Sequence, residues 1–230
     1  VESRGLGDVY KRQLLILIDI VVSIKIVKSA IPGRSKHQFG NGGNDLSKSA
    51  LVIGGGIAGI QASLDLADRG IHVYLVDKDP TIGGVMCRLD KTFPTNDCSA
   101  CILSPKMADC AGHPNIDVLT YHEVQKVEGE AGNFKVTVLK KARYVNPKEC
   151  TGCGDCIAKC PVKNIPDKYE YGLVNRKAIY IPHAQAVPRV AIIDGDRCNM
   201  IQKGKCGLCA KNCGKGAIHY DDKDETITIE

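Results

Sequence analysis

The stretch Ser49-Ala50-Leu51-Val52-Ile53-Gly54-Gly55-Gly56-Ile57-Ala58-Gly59-Ile60 decides the fold. An apolar run leads into Gly54, Gly56 and Gly59, spaced GlyXGlyXXGly, and a helical pattern follows from Ile57 to Asp68. A second apolar run, His72-Val73-Tyr74-Leu75-Val76-Asp77, ends in an acid 23 residues after Gly54. Strand, glycine turn, helix, strand and acid in this order predict the opening of a parallel sheet that binds a dinucleotide. The first glycine permits the tight turn, the second lets backbone approach a pyrophosphate, and the third lets the helix pack close to the strand. The helix N-terminus meanwhile offers free N–H donors and a positive dipole end. Asp77 stands where an acid would accept a ribose hydroxyl. A merely structural glycine turn competes with this reading, and the five features in register weigh against it.

The fingerprint alone does not separate FAD from a nicotinamide. Gly83 and Gly84, shortly after Asp77, favour FAD, because in many flavoproteins a GlyGly follows the acidic strand end and lies near the flavin's pyrophosphate. Residues 80–115 are rich in Gly, Pro, Asn and Cys, with one short helical candidate from Pro105 to Cys110. Strand-like alternation returns at 117–121, at 123–128 and at Phe134, Val136 and Val138, with residues 129–133 as the hairpin turn. From Tyr144 to Tyr220 the chain turns to cysteine-rich loops, and alternation resumes at Thr226 to Glu230. The cysteine-rich block is therefore expected as an insertion, with Thr226–Glu230 pairing in the same sheet as Phe134–Lys140.

Upstream, residues 31–49 have a linker's composition, and Leu14 to Val27 is an apolar run shorter than the roughly 20 residues of a spanning helix. That run reads as a partly buried helix or strand rather than a membrane anchor. Residues 1–13 resemble a translated sequencing adapter and are set aside, and the chain is expected to be an internal piece of a longer protein. The expected organisation is an adapter-like start, upstream helix and linker over 1–48, a first FAD-binding part over 49–143, the insert over 144–220, and a return to the FAD-binding domain over 221–230.

Twelve cysteines among 230 residues demand a chemical explanation. Cys150, Cys153, Cys156 and Cys160 form CxxCxxCxxxC followed by Pro161, the bacterial ferredoxin run. Cys198, Cys206, Cys209 and Cys213 form a second array whose last three match, although its first interval is longer and Gly214 stands where proline is usual. In two-cluster ferredoxins the fourth cysteine of one run ligates the other cluster. Cys150, Cys153, Cys156 and Cys213 are then expected to hold one 4Fe-4S cluster, and Cys198, Cys206, Cys209 and Cys160 the other. Zinc is the alternative; it suits paired CxxC knuckles better than three cysteines at consecutive two-residue gaps. A disulfide framework fits less well, since such packing argues for metal in a reducing compartment, here the cytoplasm. Cys87, Cys98, Cys101 and Cys110 remain open between a third cluster beside the flavin and ordinary thiols or a redox dithiol. His113 and His122 read as hydrogen-bonded structural histidines.

Composition narrows the class further: 43% apolar and 25% charged residues exclude disorder, and dispersed basic residues with a net charge of +5 give nucleic-acid binding little support. No catalytic acid, base or nucleophile stands out, so any chemistry is expected to belong to cofactors.

The order of a dinucleotide fold, the segment Leu89-Asp90-Lys91-Thr92-Phe93-Pro94-Thr95-Asn96-Asp97-Cys98, His113-Pro114-Asn115-Ile116 and a two-cluster block resembles the iron-sulfur flavoprotein subunit of the CoB-CoM heterodisulfide reductase family. The resemblance covers about residues 49–230. It implies an α/β, thioredoxin-reductase-like FAD domain, incomplete here, with an inserted α+β ferredoxin domain. It also implies electron transfer between FAD and clusters, and it admits flavin-based bifurcation, while heterodisulfide cleavage belongs to a partner subunit. The implied partners are other subunits of such a complex, hydrogenase- or formate-dehydrogenase-type donors and ferredoxin, without nucleic acid or a membrane span. Two alternatives stay open: a related sulfur-metabolism oxidoreductase with a quinone-linked partner, and a non-enzymatic zinc module.

Overall fold

The computed structural model describes residues 25–28, 48–130 and 132–230. The adapter-like start and most of the first apolar run and of the linker fall outside these residues, and the linker's last two residues, Lys48 and Ser49, already belong to a strand. What is described of that run is a strand rather than a helix: β1 (Lys25–Lys28) lies antiparallel to β2 (Lys48–Ile53).

The unit read from the glycine turn forms as expected. β2 leads into helix α1 (Ile57–Ala67), which returns to β3 (His72–Asp77), parallel to β2 from Ser49↔His72 to Ile53↔Val76. Alternation along these strands feeds two cores. Val52, Val73 and Leu75 face α1 and pack with Ile60, Leu103 and Met107, while Leu51, Tyr74 and Val76 pack on the opposite side with Val136, Val138 and Ile229.

After β3 the chain makes a single 3-10 turn (Met86–Arg88) and a short hairpin, β4 (Lys91–Thr92) with β5 (Asp97–Cys98). It then enters helix α2 (Ser99–Gly112). The sequence suggested only Pro105–Cys110 for this helix. Pro105 lies inside it, and the buried positions Leu103, Met107 and Cys110, at helical spacing, carry the helix past the missing N–H.

β6 (Ile116–Thr120) extends the parallel sheet beside β3. β7 (His122–Glu130), β8 (Asn133–Lys140) and β13 (Glu225–Ile229) form an antiparallel ribbon. β13 pairs with β8 from Glu225↔Lys140 to Ile229↔Val136, so the expected pairing across the cysteine-rich block is present.

Between β8 and β13 the chain forms short elements: helices α3 (Asp155–Lys159), α4 (Asn199–Lys203) and α5 (Leu208–Lys211), and two-residue strands β9 (Ile165–Pro166) with β10 (Asn175–Arg176) and β11 (Ile179–Tyr180) with β12 (Ile192–Ile193). Its neck is closed by backbone bonds from Asn146 N–H to the Ala217 carbonyl (2.8 Å) and from His219 N–H to the Tyr144 carbonyl (3.1 Å). Asp222 accepts from the Arg143 and Tyr144 amides, each at 3.0 Å. Within the block Cys156, Cys160, Cys198 and Cys209 are buried with Ile165, Ile179 and Ile193. Among the described residues no helix is long and apolar enough to cross a membrane.

Candidate functional site

The glycine turn sits at the carboxyl end of β2, where open α/β sheets bind ligands. Each glycine has a separate steric reason. A Cβ on Gly59 would lie 1.9 Å from the Gly54 carbonyl oxygen, so only glycine lets α1 approach the strand end. A Cβ on Gly56 would meet no atom within 4 Å, so this position faces open space at the start of α1. Gly56 caps α1 without a side-chain hydrogen bond and no acid occupies the first turn, which leaves its amides and positive dipole end for an anion.

Gly55, which the fingerprint does not single out, is as constrained as its neighbours. A Cβ there would come within 2.7 Å of both Asp77 Oδ2 and the Ile82 side chain. Its N–H donates to Asp77 Oδ2 at 2.6 Å, and the Asp79 N–H donates to Asp77 Oδ1 at 2.8 Å. Burial lifts the Asp77 carboxyl above its usual range, while these amide bonds pull it back. Asp77 thus braces the turn from below, and each oxygen keeps a second lone pair for a hydroxyl. The only hint of this in the sequence was the unbroken Gly54-Gly55-Gly56 run.

The GlyGly pair docks onto the same turn. Gly83 N–H donates to the Gly55 carbonyl at 2.6 Å, Gly56 and Gly83 form a parallel bridge, and a Cβ on Gly84 would lie 3.0 Å from Gly56 Cα. Gly54, Gly56, Gly59, Asp77, Gly83 and Gly84 therefore form one backbone cradle whose chemistry suits the pyrophosphate and ribose of a dinucleotide.

The ferredoxin-type cysteines surround two separate spaces. A cavity of about 270 Å³ is lined by Cys150, Cys153, Cys156 and Cys213. A much narrower one, about 20 Å³, is lined by Cys160, Cys198, Cys206 and Cys209. Each therefore draws three cysteines from one array and the fourth from the other. Gly152 and Gly154 supply the positive φ values that coil the first array, and Gly207 does so in the second. Burial pushes the Cys156 thiol up to about 11 and also raises Cys209, whose sulfur lies 3.0 Å from the Tyr220 hydroxyl. Among the described residues no three His, Cys, Asp or Glu side chains converge for a single metal ion. The thiols enclose volumes instead.

The other four cysteines do not form one ligand set. Cys98 caps α2 and Cys110 lies twelve residues further on, a rise of about 18 Å at 1.5 Å per residue. Cys98 and Cys101 are exposed, and the neighbouring Cys101 thiol pulls that of Cys98 below its usual range. Cys110 is buried among Val73, Leu103 and Met107, and burial alone pushes its thiol up to about 11. Cys87 donates its thiol to the Gly84 carbonyl at 2.8 Å. The fold thus keeps Cys110 in the core, apart from Cys98 and Cys101 at the surface, and does not gather all four. His113 accepts from the Asn115 N–H at 3.1 Å and His122 Nδ1 lies 2.7 Å from the Thr120 carbonyl, so both are held by local backbone.

A profile of FAD dependent oxidoreductases matches residues 50–95, the span of the glycine cradle. The chain is 56% identical over 186 residues to the iron-sulfur subunit of CoB–CoM heterodisulfide reductase from Methanocaldococcus jannaschii, covering 81% of this chain and 27% of that protein. It is 52% identical over 181 residues to the corresponding subunit of the H(2):CoB-CoM heterodisulfide,ferredoxin reductase from Methanothermobacter marburgensis, covering 79% and 27%. To a protein of Archaeoglobus profundus named for its likeness to the same heterodisulfide reductase component it is 59% identical over 155 residues, covering 67% and 22%. The chain thus spans about a quarter of the length of these curated relatives.

Proposed function

We propose, from the premise that this chain belongs to the family of CoB–CoM heterodisulfide reductase iron-sulfur subunits, that it binds FAD and two 4Fe-4S clusters and passes electrons between them. One observation carries the cluster half of this reading: each cysteine-lined cavity takes three thiols from one array and one from the other, the crosswise pattern of two-cluster ferredoxins. The cradle around Gly56 supports the flavin half.

FAD, when bound, supplies the exchange between two-electron and one-electron steps. The chain's own residues do the positioning. Gly54, Gly56 and the α1 amides hold the pyrophosphate, Asp77 accepts a ribose hydroxyl, and Gly83–Gly84 closes the far side. In the insert, Cys150, Cys153, Cys156 and Cys213 hold one cluster and Cys160, Cys198, Cys206 and Cys209 the other. Burial of Cys156 and Cys209 limits solvent at those two sulfurs, while Cys153 and Cys206 lie at the surface, and both bear on potential. No side chain need act as acid or base.

The relatives' printed names mention hydrogen, formate, F(420)H(2) and ferredoxin. By that analogy the chain works within a heterodisulfide reductase-like complex in the cytoplasm, taking electrons from a donor of this kind, with flavin-based bifurcation as the mode and disulfide cleavage in a partner subunit.

Anaerobic reconstitution followed by iron, acid-labile sulfide and flavin analysis tests the reading. About eight iron atoms and one FAD per chain are expected, with Cys160→Ser and Cys213→Ser each losing about four iron atoms from opposite clusters. A colourless protein holding zinc, or loss of the same cluster in both variants, would overturn it.

A further inference from the structure

The loop from Pro80 to Arg88 carries Gly83 and Gly84, and the cysteine-rich insert grips it at both ends. At the near end the Val187 N–H donates to Thr81 Oγ1 at 2.8 Å, and the Ile82 N–H donates to the Val187 carbonyl at 2.9 Å. At the far end the Tyr169 hydroxyl donates to the Cys87 carbonyl. The Tyr169 ring stacks on His183, with centroids 4.9 Å apart and planes 20° from parallel, and the Arg88 guanidinium lies 5.3 Å from its centroid. Between the two grips the loop is tied to the glycine turn by Gly83 N–H to the Gly55 carbonyl and by the contact of Gly84 with Gly56. The Cys87 thiol to Gly84 carbonyl bond carries the connection from Tyr169 to that contact.

These contacts run from the insert to the backbone that faces the dinucleotide. A loop left free would have to be ordered when ligand binds, and that cost is subtracted from affinity; a loop already held in place avoids it. The buried Arg88 Nε and His183 Nε2 have no hydrogen-bond partner among the described residues, so the seam is fixed by Tyr169, Thr81 and ring packing rather than by a closed polar network.

We propose that the insert is a working part of the dinucleotide site: by holding Thr81–Ile82 and Cys87 it fixes the Gly83–Gly84 turn against Gly55–Gly56, which makes Tyr169 and Thr81 positioning residues for FAD. The inference rests on the FAD reading of the cradle. It extends the insert's task from carrying electrons to shaping the flavin pocket.

The test uses the full chain, reconstituted with iron and sulfide. FAD affinity is read by flavin fluorescence quenching, the flavin environment by visible circular dichroism, and loop order by amide hydrogen exchange over residues 80–88. Tyr169→Phe keeps the ring and removes the donor, and Thr81→Val removes the near-end hydroxyl. Each is expected to weaken FAD about two- to tenfold, the equivalent of one hydrogen bond. Both should speed exchange across the loop and alter the flavin dichroism while leaving iron content unchanged. Tyr169→Ala should lose more, and if it fails to fold, the two conservative variants decide the matter. Parental FAD affinity and parental loop exchange in both Tyr169→Phe and Thr81→Val would overturn the proposal. A parent chain that binds no FAD, with loop exchange still faster in the variants, would refute the flavin reading and leave the clamp standing.

Discussion

Gly56 and Gly59 lack a side chain for opposite reasons, and substitution separates them. At Gly59 a methyl group would lie 1.9 Å from the Gly54 carbonyl oxygen, so α1 must retreat from the strand. Gly59→Ala is expected to cost at least about 1 to 3 kcal/mol, read as a lower denaturation midpoint. At Gly56 a Cβ meets no protein atom within 4 Å. Gly56→Val should fold within about 1 kcal/mol of the parent yet fail to retain FAD, because the branched carbons take the room beside the α1 amides. A purified Gly56→Val protein with stoichiometric flavin would sink that assignment. The spacing of the fingerprint glycines made them legible in the sequence, because it encodes turn geometry. Gly55 stayed hidden, since its reason is a long-range contact with Asp77 and Ile82.

Helix α2 shows what spacing alone does not convey. Four cysteines outside the ferredoxin arrays left a third ligand set open in the sequence, because a count carries no distance. The helix places Cys98 and Cys101 at its exposed start and Cys110 near its other end, in the core among Leu103 and Met107. Brief iodoacetamide treatment of the metal-free chain should label Cys98 and Cys101, with Cys110 labelled only after denaturation, as peptide mass spectrometry would read. Early labelling of Cys110 would mean that α2 does not pack as described. The ribbon was easier to foresee, since alternation in both β8 and β13 survives the long interruption between them. Ile229 ends that ribbon fully buried against Val136 and Val138. Ile229→Ala is expected to cost about 2 to 5 kcal/mol in denaturant unfolding, and a cost near zero would show that β13 contributes little to the core.

At the scale of the molecule, the described residues form one main sheet in which the parallel β2–β3–β6 part joins the antiparallel ribbon through β1, with helices on it and a cysteine-rich block between two paired strands. Because the block sits between two paired strands, it could be excised to leave a flavin-domain remnant. The neck at Tyr144 and His219 makes the splice geometrically simple. Yet excision of residues 144–220 also removes Tyr169 and Val187. The remnant is expected to stay soluble and to bind FAD at least about tenfold more weakly than the intact chain, on the scale of the several hydrogen bonds lost. Equal affinity in a fluorescence titration would show that the flavin pocket is complete without the insert. Such seams are illegible in sequence because the partners lie 82 and 106 residues apart and carry no shared pattern.

The pairing of Lys140 with Glu225 spans 85 residues, and its ammonium–carboxylate contact at 2.7 Å closes the ribbon. During synthesis at about 5 to 20 residues per second, β8 leaves the ribosome roughly 4 to 17 s before the strand that covers its second edge. Through that interval β8 has β7 on one side, while on the other β1 reaches it at Phe134 and the amides and carbonyls from Val136 to Lys140 stay open, the arrangement that invites pairing with a stray strand. The block emerging in between must collapse first for its ends to meet, and the entropy of closing so long a loop falls as it does so. On the proposed cluster reading, metal delivery to the nascent cysteines would govern more than redox competence: it would set how long an unfinished sheet stays exposed to aggregation.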